Sequence, residues 1–94
     1  MSFKLVIRHK AKNDIFAVFR WYKAHHPGLE EDWLAAVDAA LVRITQFPLA
    51  YPVVYKEVRR MVINRFPYHL FFTVQGKSVR VLTCLHARRD PDSP

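Results

Sequence analysis

The sequence predicts an α+β domain of order β-α-α-β-β-β, an antiparallel sheet with a helical hairpin packed on one face. Three observations carry this. Two runs rich in β-branched and aromatic residues, Y-H-L-F-F-T-V and V-R-V-L-T-C-L-H, flank the short connection Gln75-Gly76-Lys77, the signature of a hairpin. Residues 10–47 instead carry apolar positions at helical spacing, interrupted at Pro27-Gly28. Short connections throughout place successive elements side by side, so the last three strands form a meander.

Residues 3–9 alternate Phe3, Leu5 and Ile7 against Lys4, Val6 and Arg8, the period of a strand. Lys4 and Arg8 suit a sheet edge, where charge deters stray pairing. Near residue 10 the period changes. Asn13 or a residue just before it is a candidate N-cap, and Asp14 is expected beside the positive end of the helix dipole. Ile15, Val18, Phe19 and Tyr22 then form one stripe, with Ala11 and Phe16 close by and Arg20 and Lys23 turned away. Pro27 ends this helix near His25-His26, because the residue before proline disfavours helical geometry.

Glu30, Glu31 and Asp32 open the second helix, where acids complement the dipole, so the acidic run has a structural explanation. Trp33, Val37, Ala40, Leu41 and Ile44 make its inner stripe, and Trp33 is expected to be buried between helices and sheet. Ala35, Ala36 and Ala39 would let a neighbour approach closely. Phe47-Pro48 ends the helix, and the prolines of 48–52 predict a loop. Residues 56–66 read as one strand, with Arg59, Met61, Ile63 and Arg65 opposite Val58, Arg60, Val62 and Asn64; both sides mix apolar and basic residues. In the hairpin, Tyr68, Leu70, Phe72 and Val74 share one face, opposite His69, Phe71 and Thr73. Strict alternation in the final strand sets Val79, Val81, Thr83 and Leu85 against Arg80, Leu82, Cys84 and His86.

The 94 residues make one domain, 1–94, in which 51% hydrophobic and 24% charged residues are ample for a packed core. No apolar run is long enough to cross a bilayer, and the start lacks the layout of a signal peptide, so a cytoplasmic protein without membrane partners is expected. The one cysteine, Cys84, sits mid-strand and reads as a small core residue. Histidine and cysteine show no paired zinc spacing, and neither a glycine-rich phosphate loop nor a nucleophile motif is present, so no metal or cofactor is expected.

Net charge is +7 and unevenly placed: residues 1–26 carry six Lys/Arg against one acid, residues 27–51 one against four, and residues 52–94 eight against three. Such a chain should attract an acidic partner, whether nucleic acid, a ribosome or an acidic polypeptide. Lys56, Arg59, Arg60, Arg65, Arg80, Arg88 and Arg89 lie on or beside the C-terminal strands, with Tyr55, His69 and His86 among them. On one uncovered sheet face they would bind phosphates. They would also suit metal-free RNA cleavage, with His86 as the best general acid or base. The alternative for His86 is an ordinary strand-end histidine bonded to its neighbours.

Several of these residues together look familiar. Ala11-x-x-Asp14-Ile15, Phe47-Pro48, Phe66-Pro67-Tyr68 and His86-Ala87-Arg88-Arg89-Asp90-Pro91, in this order over nearly the whole chain, resemble the RelE/ParE superfamily. Its members are toxins of bacterial type II toxin–antitoxin modules. The resemblance implies a cognate acidic antitoxin that lays an extended and helical tail over the toxin. Its His-x-Arg-Arg-Asp-Pro ending, and the lack of a dense lysine set beyond Lys56 and Lys77, are more similar to the ParE branch, which inhibits DNA gyrase. The RelE branch, ribosome-dependent mRNA endonucleases, would instead make Arg65, Arg80 and His86 catalytic. A third possibility is an antitoxin-binding module with weak or lost toxicity. For target or antitoxin binding the candidates are Arg59, Arg60, Arg65, Arg80, His86, Arg88 and Arg89.

Overall fold

In the computed structural model, which describes residues 3–88, a five-stranded sheet carries two helices on one face. The chain runs β1 (Lys4–Ile7), α1 (His9–His25), α2 (Leu29–Gln46), a 3₁₀ turn at Pro48–Ala50, β2 (Val53–Tyr55), β3 (Val58–Val62), β4 (Tyr68–Gln75) and β5 (Ser78–His86). Sheet order is β1-β5-β4-β3-β2. The helical hairpin carries the chain from one edge to the other, and the meander brings it back beside β1. There β5 pairs with β1 in parallel, whereas all other pairings are antiparallel. The α+β class and the helical hairpin agree with the sequence. The strand read over 56–66 shortens to β3, because the chain turns at Lys56 and Glu57 and leaves the sheet after Val62; β2, just before that turn, was not anticipated. A three-residue strand beside prolines leaves no period to read.

The predicted stripes form the core. Ala11, Ile15, Val18 and Tyr22 of α1 and Trp33, Val37, Ala40 and Ile44 of α2 are buried against Met61, Leu70, Phe72, Val79, Val81 and Cys84. Trp33 is wholly buried, donates its indole N–H to the Ile15 carbonyl at 3.1 Å, and packs edge-on against Phe66 and Tyr68. Met61 settles which face of β3 points inward. Gly28 and Gly76 take positive φ in the two turns, a conformation that costs glycine little. The Glu30 carboxylate also accepts the Gly28 N–H at 2.6 Å, closing the first turn of α2.

Two expectations for the strands and caps are corrected. Strict alternation in β5 fails because Phe71 faces Thr83 while Phe72 faces Val81, which leaves Leu82 as an extra residue in a bulge. Past the bulge Cys84, not Thr83, joins Val79 and Val81 in the core. Asp14 also does something other than balance a dipole. Helix α1 begins at His9 after an uncapped Arg8, with no acid in its first turn, which puts Asp14 in the second turn. β1 reaches only as far as Val81, so the edge of β5 beyond it is open on that side. Asp14 fills the gap: its carboxylate accepts the Cys84 backbone N–H at 3.0 Å and the Thr83 hydroxyl, and pairs with Lys10 at 2.6 Å. Burial acts to raise the Asp14 pKa, but the donors Lys10, Thr83 and Cys84 outweigh it and hold the carboxyl below its ordinary value.

Candidate functional site

The seven residues singled out from sequence do not share one face. Arg80 pairs with Val6 and Thr73 between the core residues Val79 and Val81, so it points from the sheet face away from the helices, as does Arg60 opposite Phe71. Arg59 lies on the helix side, where its guanidinium donates to the Tyr51 carbonyl at 2.6 Å and ties down the loop before β2. His86 follows Cys84 on the helix side, its ring edge-on to Tyr68 with centroids 5.3 Å apart. The Arg88 N–H donates to His86 Nδ1 at 3.3 Å, which leaves Nε2 to carry the proton of the neutral ring. Arg88 is exposed just past β5, and Arg89 lies outside the described residues.

Arg65 occupies the turn between β3 and β4 with φ 73°, a left-handed conformation unusual for a residue with a side chain. Its guanidinium reaches to 3.9 Å from Asp32 at the start of α2. These two stand at one end of an open groove of about 550 Å³ between α2 and β3. Ala36, Ala39 and Ala40 form its helix wall, Met61 and Tyr51 line it, and Arg43 adds a second cation. Ala36 and Ala39 are the small positions noted in the sequence, and they open this space because no large side chain stands there. Arg43 was not anticipated; its only sequence signal is helical spacing with Asp32, Ala36 and Ala39.

The chemistry open to this arrangement follows from its geometry. Arg80 and His86 lie on opposite faces and six residues apart, roughly 15–20 Å along a strand. Arg65 belongs to the end of the sheet near His86, so the trio does not converge on one substrate atom. Cys84 is no nucleophile: burial, with Asp14 nearby, pushes its thiol up to about 12. Among the described residues no three His, Cys, Asp or Glu side chains stand together to hold a metal. The arrangement that the described residues do form is a groove with a small-residue wall and cations along it.

The sequence profile described as "ParE toxin of type II toxin-antitoxin system, parDE" matches residues 5–91. This chain belongs to the ParE toxin family. Toxin ParE2 of Mycobacterium tuberculosis is 23% identical over 94 residues, 99% of this chain and 90% of that protein. Among solved structures, the chromosomal ParDE system from P. aeruginosa superposes with a TM-score of 0.80 at 20% identity, covering 90% of this chain and 96% of that one. The RelBE2 toxin–antitoxin complex from Mycobacterium tuberculosis superposes at 0.63 and 16% identity over 92% of each. At these identities the superpositions establish the RelE/ParE-like fold. Membership makes the protein a ParE-family toxin of a type II toxin–antitoxin system. It also accounts for the resemblance: Ala11 is buried under the sheet, Asp14 closes the β5 edge, and Ile15 enters the core.

Proposed function

We propose that this chain is a toxin that inhibits DNA gyrase in the cytoplasm by binding, and that a cognate acidic antitoxin neutralises it. The observation that carries the reading is the separation of Arg80 from His86 across the sheet. Acid–base cleavage of RNA needs a proton donor, a base and cations within hydrogen-bond reach of one phosphate. A protein inhibitor needs only a surface. Family membership in the ParE branch supports the same choice. For the antitoxin, the groove beside α2 offers Arg43 and Arg65 to a carboxylate-bearing segment and a wall of alanines to its apolar residues. Arg60 and Arg80 lie on the sheet face away from the helices, where they would meet the target.

The test is a supercoiling assay with purified gyrase, run beside a primed translation reaction containing ribosomes and mRNA. Inhibited supercoiling, relieved by adding the antitoxin, is the expected result. Cleaved mRNA with normal supercoiling would replace the reading with ribosome-dependent endonuclease action, for which Arg65, Arg80 and His86 are the candidates. Inactivity in both assays would leave an antitoxin-binding module.

A further inference from the structure

We propose that the outer face of the helical hairpin is a self-recognition surface, on which a second copy of this chain packs with α1 of each copy against α2 of the other. The face is bipolar. On α1, Lys12, Phe16, Arg20 and Lys23 are exposed at i, i+4, i+8 and i+11, within about 80° of arc on a helix of 3.6 residues per turn. On α2, Glu31, Ala35, Asp38 and Val42 are exposed at i, i+4, i+7 and i+11, within about 60°. Each ridge is about 16 Å long. One carries three cations, the other two carboxylates, and among the described residues none of these five charges enters an ion pair.

Each ridge also exposes one large apolar side chain, Phe16 at 53% and Val42 at 55%. A two-fold axis parallel to the helices sets α1 over the partner copy's α2, antiparallel, and the same operation sets α2 over the other α1. Both copies then satisfy both ridges at once, the self-complementarity an isologous interface requires. The operation preserves height along the axis, so Lys23 comes level with Glu31 beside the turn, Arg20 lies between the levels of Glu31 and Asp38, and Phe16 lies within a turn of Ala35 and Val42.

The charge pattern selects this occupant over others. Nucleic acid or an acidic polypeptide laid along α1 would meet Glu31 and Asp38 beside it. A second copy sets the cationic ridge against the acidic one. The chain's overall charge of +7 repels other copies at long range, and salt near 0.15 M screens this beyond about 8 Å while leaving the contact itself intact.

The experiment is sedimentation equilibrium of the purified chain at roughly 0.15 M salt, over micromolar to millimolar concentrations. The mass should rise with concentration from 11.1 kDa toward twice that value. Two charge-reversed variants decide the interface. One carries Lys12→Glu, Arg20→Glu and Lys23→Glu; the other carries Glu31→Lys and Asp38→Lys. Each alone should associate about tenfold more weakly or worse, and an equimolar mixture should recover the dimer, since each reversed ridge then meets its opposite. A merely structural effect of the substitutions would not be repaired by mixing. Phe16→Ser, at a half-exposed position, should weaken association without altering far-UV circular dichroism. A parent that stays monomeric throughout, variants that dimerise alone, or a mixture that stays monomeric would each overturn the proposal.

Discussion

Removing the Asp14 carboxylate tests how β5 is held beyond the end of β1. In Asp14→Ala the buried Cys84 N–H loses its acceptor, which costs about 1–3 kcal/mol. The Thr83 hydroxyl can turn to water and adds little. The Lys10 pair, spaced i to i+4 on a helix surface, adds about 0.3–0.5 kcal/mol. The expected total is therefore about 1.3–3.5 kcal/mol, a large share of the stability of a domain this size. Asp14→Asn keeps an acceptor oxygen and should cost about 1 kcal/mol. Urea unfolding reads both, with the denaturant slope unchanged if only native contacts are lost. A depressed carboxyl pKa contributes stability above the unfolded value of 3.8 and loses it as pH falls through the folded value. The gap between parent and Asp14→Asn should thus stay level from neutrality to about pH 5 and close below about pH 4. Asp14→Ala within about 0.5 kcal/mol of the parent, or a gap that widens in acid, would refute the edge-closing role.

Trp33→Ala should cost about 3–5 kcal/mol, since it empties the centre of the aromatic cluster; a variant as stable as the parent in urea would contradict the packing. Arg65→Gly should match the parent or gain up to about 1 kcal/mol, because glycine accepts the left-handed backbone and the exposed Asp32 pair contributes little. Arg65→Val, by contrast, should be less stable than the parent in urea, because a β-branched side chain fits the left-handed region worse than arginine does. Cys84 should resist a thiol reagent at mildly alkaline pH until urea is added; rapid stoichiometric labelling of the native protein would show that the thiol is neither buried nor held protonated.

The sequence revealed most where its pattern is periodic over many residues. The stripes of α1 and α2, the turn at Gly76 and the burial of Trp33 all follow from spacing, because helices and long hairpins repeat it. Three features were hidden for physical reasons. β2 is three residues long, too short for alternation to register. The bulge at Leu82 inserts one residue without changing composition, and it reverses which side of β5 faces the core. Asp14 satisfies a backbone group some 70 residues away in sequence, and only the parallel pairing of β1 with β5 brings them together. The candidate site was legible as a list of cations but not as a surface. Arg59 looks like its neighbour Arg60 in sequence, yet one fastens a loop and the other faces away from the helices. The groove beside α2 was foreshadowed by Ala36 and Ala39, whereas Arg43 gave no sign of its place.

Inducing this chain in a bacterium, while following plasmid supercoiling and mRNA integrity in the same culture, tests the central claim most directly. Binding-based inhibition of gyrase predicts lost supercoiling and DNA damage with intact transcripts, unaffected by His86→Ala. Codon-positioned cuts in mRNA with normal plasmid topology, relieved by His86→Ala or Arg65→Ala, would contradict it.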